Sequence, residues 1–337
     1  MNQFGFRAKK STRDPLFILR RIQEYSAKTG RPFHLLFLAC QMAFDRLDRR
    51  ALIISLRRLG VHEHYIEIIQ DLYTDQTFQT RGFHGDTCTG TPHTGIRQGC
   101  PLSPYLFVMT MTALLADVDT HLRVRGVPTN TWTVGKPTYD LEYADDTLLI
   151  AVTPPQLQAF LTGIQLEASL YGLALNFSKT ELLRHPLYPD ATISFSDGSP
   201  VPVSDSVKYL GSQVTWTKPT QHAILARMSK AHDAYIKLQH LWRSGTTAHT
   251  KLALFHSAIV PVLMYGLDTL TLEKTHLKKI DAWYFRYLRR SIGIKASYYS
   301  RIPNKTVWER SGKPTLPSQT PVSYTHLTLP TNTVTWG

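Results

Sequence analysis

The stretch Leu141-Glu142-Tyr143-Ala144-Asp145-Asp146-Thr147-Leu148-Leu149-Ile150-Ala151 decides how the rest of the chain is read. Two adjacent carboxylates stand between an aromatic-containing run and an apolar, β-prone run. That is the pattern of a β-hairpin with the aspartates at or beside its turn. Adjacent carboxylates at the tip of a buried hairpin repel one another unless a cation neutralises them. A site offering only oxygen ligands favours Mg²⁺ or Mn²⁺, and two such ions can clamp the attacking and leaving oxygens of a phosphoryl transfer. A surface turn carries the same dipeptide for local reasons, so the dipeptide leaves both readings open.

Totals narrow the field. A chain of 337 residues can bury a sizeable core and hold two or more subdomains. Its 42% hydrophobic and 19% charged content fits a folded protein, not a disordered one. Lys and Arg total 38 against 25 acidic residues, a formal charge of +13 that suits a polyanionic partner such as a nucleic-acid backbone. Three cysteines, Cys40, Cys88 and Cys100, have no paired spacing, which excludes a disulfide framework and a four-ligand zinc site. No apolar run reaches the roughly 18 residues of a membrane span and no signal peptide is visible, so an intracellular protein is expected.

With its flanks, Tyr143-Ala144-Asp145-Asp146 resembles the catalytic turn of reverse transcriptases, and further motifs of the non-LTR retrotransposon branch follow in the family's order. Near the start, Gln3-Phe4-Gly5-Phe6-Arg7 with Ser11-Thr12 resembles the Q-x-G-F-R-x-x-x-S-T segment of the fingers. A helix is expected after it, capped by Asp14 with Pro15 in its first turn and a stripe of Leu16, Leu19, Ile22 and Tyr25. The family has more chain upstream, so this copy reads as truncated inside the fingers.

Pro32 to Leu38 reads as a buried strand. The following Ala39-Cys40-Gln41-Met42-Ala43-Phe44-Asp45 resembles the palm motif L-D-x-x-K-A-F-D. Here Ala39 stands at the family's third catalytic aspartate and Met42 at its usual basic residue. Phe44 takes the place of the gate against a 2′-hydroxyl; by composition it is a core phenylalanine. Asp45 is too far along the chain to replace the missing carboxylate. A helix capped by Asp48 follows, with Leu52, Leu56 and Leu59 on one face and Gly60 as its stop. Another spans residues 61–80 with Tyr65, Ile66, Ile69 and Tyr73 inward, and residues 81–90 read as a hairpin.

Gly95-Ile96-Arg97-Gln98-Gly99-Cys100-Pro101-Leu102-Ser103-Pro104 resembles the family's G-x-x-Q-G-x-x-L-S-P. Its glycines permit close backbone approach, and Ser103-Pro104 open a helix running through Phe107, Met111, Leu114 and Val118. The resemblance implies that Gln98 and Gly99 meet the incoming nucleotide or the templating base, with Arg97 near phosphate. After the acidic turn and a helix over 156–170, Gly172-Leu173-Ala174-Leu175-Asn176-Phe177-Ser178-Lys179-Thr180 resembles G-L-x-x-N-x-x-K-T, implying Lys179 near the leaving pyrophosphate. Tyr209-Leu210-Gly211 resembles the hairpin on which a primer end rests.

From about 218 the chain turns helical and basic. One stripe runs Ile224, Met228, Ala231, Tyr235, Leu238 and Leu241, and another Leu277, Ile280, Tyr284 and Leu288. Arg227, Lys230, Lys237, Arg243, Lys278, Lys279, Arg286, Arg289 and Arg290 are expected on exposed faces, as in a thumb tracking a duplex backbone or in a helical domain with a solvated basic face. Residues 321–331 match nothing else and resemble read-through of a sequencing adapter.

The expected architecture is α+β, a right-hand polymerase fold with an antiparallel palm sheet. Its expected parts are truncated fingers at 1–32, a palm at 33–215 with a fingers insertion near 49–90, a helical thumb at 216–310 and an irregular tail at 311–337. The resemblance implies primer extension with two Mg²⁺ or Mn²⁺ ions on Asp145 and Asp146, using an RNA template, a DNA primer and deoxynucleoside triphosphates. Ala39 implies an impaired copy, or a decayed fragment that at most binds nucleic acid. A group II intron maturase shares the palm, but Ala43-Phe44-Asp45 and the long thumb speak against it.

Overall fold

The computed structural model describes residues 2–81, 87–129, 131–134, 136–312 and 316–319. The adapter-like residues 321–331 and the tip of the expected hairpin, 82–86, lie outside them. The chain forms two compact units, Met1–Leu210 and Gly211–Gly337.

In the first unit, α1 (Arg13–Thr29) leads to β1 (His34–Leu38), then α2 (Ala43–Arg46), α3 (Arg49–Arg58) and α4 (Glu63–Tyr73). A hairpin of β2 (Phe78–Arg81) and β3 (Thr87–Gly90) precedes the long α5 (Ser103–Val124). A second hairpin, β4 (Trp132–Val134) and β5 (Lys136–Thr138), runs into β6 (Asp140–Tyr143) and β7 (Asp146–Ala151). After them come α6 (Pro154–Leu170), β8 (Glu181–Leu183), β9 (Val203–Ser204) and β10 (Val207–Tyr209).

One sheet of order β6-β7-β1-β8-β9 carries this unit. Its first four strands pair antiparallel, with Leu36 opposite Leu149 and Leu182. The fifth is parallel to β8, a departure from the all-antiparallel expectation, and residues 184–202 supply the long connection that a parallel pair needs. All five residues of β1 are buried, as a continuous apolar run in a central strand requires. Side chains alternate along the strands. Leu36, Leu38, Leu149, Ala151 and Leu182 join one core with Phe107, Leu114, Phe160 and Ile164 of α5 and α6. Leu35, Phe37, Leu148 and Ile150 are buried on the opposite face, where Phe37 meets Tyr209 at 5.2 Å between ring centroids.

Helix ends follow local chemistry with small offsets. Helix α1 begins one residue before the expected cap, and Asp14 reaches back to accept from the Ser11 amide at 2.8 Å. Asp48 caps α3 as expected, accepting from Ala51 N at 2.8 Å. Ser103 is the first residue of α5, not its cap. Leu59 and Tyr65 are 41% and 62% exposed, against the expected inward stripe. Leu59 lies past the last turn of α3, and Ile66 and Ile69 alone carry the buried side of α4.

The second unit is helical after β11 (Ser212–Val214): α7 (Pro219–Lys237), α8 (Gln239–Arg243), α9 (Ala248–Leu254), α10 (Val260–Met264), α11 (Lys274–Ser291), α12 (Ser297–Ser300) and α13 (Asn304–Ser311). Ile224, Ala231, Tyr235, Phe255, Ile259, Leu263, Tyr284 and Leu288 form its core. Two expected surface arginines are instead buried. Arg227 donates to Gly211 O and lies over the Tyr265 ring, while Arg289 donates to Asn304 Oδ1 and the Ile302 carbonyl. Lys278, Lys279, Arg286 and Arg290 do face solvent.

No span is expected, and one segment, Ala248–Thr269, is long and apolar enough to cross a membrane by length and composition only. It is an interrupted helix, with a π turn at Phe255–Ile259 just before Pro261, which lacks an amide and crowds the preceding turn. Phe255, Ile259 and Leu263 fill this unit's core. In the expected irregular tail, Pro317–Gln319 make a short 3₁₀ turn.

Candidate active site

The acidic turn is a two-residue connection. Tyr143 pairs with Asp146, leaving Ala144 and Asp145 as the turn itself. Ala144 has φ +58°, the left-handed region that short hairpin turns demand and that a non-glycine residue adopts at a cost of roughly 1–2 kcal/mol. The cost is offset by contacts from the first residues of the chain. Gln3 bridges to Glu142 as a parallel partner, Glu142 N donates to Asn2 O at 3.0 Å and Phe4 N to Glu142 O at 2.9 Å. The Ala144 amide donates to Gln3 Oε1 at 3.0 Å.

Asp145 and Asp146 are half-buried. Burial, then the neighbouring Asp145, raises the Asp146 carboxyl to about 6, and Lys179 pulls it down. The exposed Lys179 is thus close enough to act on Asp146, and its placement is local in origin. Asn176 N donates to Ala39 O at 2.7 Å and Gln41 N to Ala174 O at 2.8 Å, joining this segment to the end of β1. The Asn176 side chain then accepts from Lys179 N at 3.2 Å.

Ala39 follows directly on Leu38, which pairs with Thr147. Continuing that antiparallel register sets Ala39 opposite Asp146, on the sheet face that also carries Phe37 and Leu148. Next to it, burial and the fields of Asp145 and Asp146 push the Cys40 thiol up to about 12. A thiol so placed keeps its proton at neutral pH. The Asp45 carboxylate is engaged elsewhere, accepting from Gln98 Nε2 at 2.9 and 3.0 Å.

Among the described residues no three His, Cys, Asp or Glu side chains gather as a metal-holding group. Two adjacent carboxylates do match one Mg²⁺, which commonly takes one or two carboxylates and completes its shell with water and substrate phosphates.

The other expected nucleotide contacts gather around α2. Met42 enters it with φ +49°, and Phe44 stacks on Phe107 at 4.9 Å and 14° between planes. The loop 94–98 is docked on its backbone: Ile96 N donates to Phe44 O at 2.7 Å and Gly95 N to Leu47 O at 2.8 Å. A Cβ on Gly95 would lie 2.5 Å from Asp45 O, so only glycine fits. Arg97 is exposed and donates to Leu72 O at 2.9 Å, and Gly99 holds φ +84° with open space about it. Asp45, Gln98, Arg97 and Arg49 line a cleft of 520 Å³ here.

Arg49 is a residue that sequence reasoning missed. It donates to Gly95 O, Tyr73 O and Gln76 Oε1 at 3.0–3.2 Å, fastening the loop to α4. In the Tyr209-Leu210-Gly211 turn, Tyr209 is 4% exposed, whereas Leu210 and Gly211 are half-exposed with φ +43° and +73°. Among the described residues the buried Tyr209 hydroxyl has no hydrogen-bond partner, and burial, then Asp146, Glu142 and Asp140, hold its pKa well above the usual phenol range.

This geometry has counterparts. Residues 1–214 match the family described as reverse transcriptase (RNA-dependent DNA polymerase). The chain is 26% identical over 303 residues to the Drosophila melanogaster Pol polyprotein of type-2 retrotransposable element R2DM, covering 87% of this chain and 27% of that protein. It is 25% identical over 319 residues to the RNA-directed DNA polymerase of the Drosophila melanogaster mobile element jockey, covering 89% and 32%. It thus spans about a third or less of these relatives. Telomerase from Candida albicans, solved with a fragment of telomeric RNA, superposes with a TM-score of 0.52 at 11% identity over 91% of this chain and 55% of that one, a likeness of fold. The α+β architecture is that of a right-hand polymerase, and the chain belongs to the reverse transcriptase family, in its non-LTR retrotransposon branch.

Proposed function

We propose that the chain is an RNA-directed DNA polymerase domain that joins a deoxynucleotide to a primer 3′-end on an RNA template, and that this copy is impaired at one ligand. The observation that carries the reading is the β6–β7 turn, with Asp145 and Asp146 held side by side under a strained Ala144 and Lys179 acting on Asp146.

In this reading Asp145 and Asp146 hold a divalent cation, which when bound neutralises triphosphate charge and favours attack by the primer hydroxyl. Lys179 stands by to balance negative charge on the leaving pyrophosphate. Phe44, Arg97, Gln98 and Gly99 lie along the nucleotide's path, Gln98 being oriented by Asp45. Tyr209, Leu210 and Gly211 serve the primer end, Tyr209 as buried support and the other two by contact.

A carboxylate at position 39 would complete the ligands for a second cation, and with Ala39 in its place a loss of about 10³-fold, roughly 4 kcal/mol of barrier, is expected. The same residue favours a second reading, a decayed copy that binds nucleic acid through its basic surface without extending a primer. Primer extension on an RNA template by the Ala39→Asp chain separates the two. Extension that Asp145→Asn abolishes supports the polymerase reading; an Ala39→Asp chain that binds the primer–template and never extends it leaves the second.

A further inference from the structure

We propose that the segment Asn2–Gly5 is the positioning element of the acidic turn, with the Gln3 carboxamide fixing the backbone at Ala144 and so the direction in which Asp145 and Asp146 present their carboxylates. The inference rests on the polymerase reading for its consequence, and on geometry alone for its structure.

Gln3 is 1% exposed and uses both ends of its amide. Its Oε1 accepts from Gly5 N at 2.7 Å and from Ala144 N at 3.0 Å. Its Nε2 donates to Glu142 Oε2 at 3.3 Å and, at a longer 3.5 Å, to Ala144 O. Both backbone polar groups of the one left-handed residue in the turn are therefore addressed by a single side chain some 140 residues away in sequence.

Gly5 makes the same point independently. A Cβ there would stand 2.6 Å from Ala144 N and 3.2 Å from Tyr143 C, so the segment approaches the turn as closely as a backbone can. Arg7 holds the arm in place by donating to Gln3 O at 3.3 Å, and Asn2 Nδ2 donates to Asp140 Oδ1. A hairpin tip with two repelling carboxylates needs a brace if its strained residue is to stay put, and Gln3 supplies hydrogen bonds to the Ala144 backbone beside the core packing of its methyl group.

The test uses the full chain and two substitutions. Gln3→Met keeps length and volume while deleting every polar contact, and Gln3→Glu keeps the two accepted bonds, with the Glu142 carboxyl, which burial raises well above its usual range, able to donate where Nε2 did. Amide exchange is read at Ala144, with Leu36 and Leu149 as controls in the same sheet. Gln3→Met is expected to speed exchange at Ala144 by about tenfold or more with the controls unchanged, and Gln3→Glu to keep most of the protection.

In the Ala39→Asp background, Gln3→Met is expected to lower kcat about tenfold while nucleotide KM and primer–template affinity stay within about twofold. Unchanged exchange at Ala144, a uniform rise across the controls, or an unchanged kcat in an active Ala39→Asp chain would each overturn the proposal. If the Ala39→Asp chain does not extend a primer at all, the polymerase reading falls, while the exchange result still decides what Gln3 does.

Discussion

Two short segments of one sheet face each other across the candidate site, and they differ in what holds them. The β6–β7 turn is over-determined: its strained Ala144 is fixed by Gln3, by close packing of Gly5 and by the strand pairing of Tyr143 with Asp146. The end of β1 is held by backbone bonds, Asn176 N to Ala39 O and the pairing of Leu38 with Thr147, and by the buried Leu38 side chain. The side chain at 39 is half-exposed and carries none of that structure. A half-exposed side chain that carries none of the packing can change its chemistry while the fold remains. In the proposed reading, folding and catalysis are therefore separable here at a single residue.

The comparison can be broken at several points. Asp145→Asn placed in the Ala39→Asp chain should lower primer extension by about 10³-fold or more while the melting temperature hardly moves, because the half-exposed carboxylate serves chemistry, not packing. Extension that survives Asp145→Asn would move the chemistry elsewhere. Leu36→Ala should do the reverse. Leu36 is 0% exposed and sits in the main core, so its truncation should cost about 2–5 kcal/mol in urea denaturation.

A third probe uses pH. Burial, then His185, lowers the His34 imidazole from 6.5 to about 4. The unfolded chain then binds the proton first, so stability is full above about pH 6.5 and falls as pH drops toward 4. Between pH 7 and 5 the chain should lose about 2 kcal/mol that His34→Phe does not lose. His185 is lowered as well and acts with the same sign. Parallel pH profiles for the two chains would mean that His34 is not the group responsible. The smallest expected effect is Asp48→Ala, which removes the bond accepted from Ala51 N and should cost about 1 kcal/mol without altering activity in the Ala39→Asp background.

Much of this arrangement is legible in the residues themselves. The apolar run into Leu38, the acidic dipeptide between β-prone flanks and the Asp48 cap are local signals, and the strands and helix they imply are present. Glycine at 95 likewise marks a close backbone approach. What escaped has long-range causes. Gln3 reads as part of a basic, glycine-containing entrance, yet its partner lies on β6 and its turn, far along the chain. Arg227 and Arg289 read as surface charge because helical periodicity does not reveal which arginine finds carbonyl and amide oxygens to bury against. The parallel edge at β9 is set by where a long connection returns, which no short stretch encodes.

The most direct test of the central claim, that position 39 is the vacant ligand place facing Asp146, is a Mn²⁺ titration followed by electron paramagnetic resonance. It compares the chain with its Ala39→Asp form in the presence of a nucleoside triphosphate. Tighter binding by about tenfold or more in Ala39→Asp, with a second ion taken up per chain, is the predicted result. Equal affinity and equal stoichiometry in the two chains would contradict the claim, and would mean that residue 39 does not share its metal with Asp145 and Asp146.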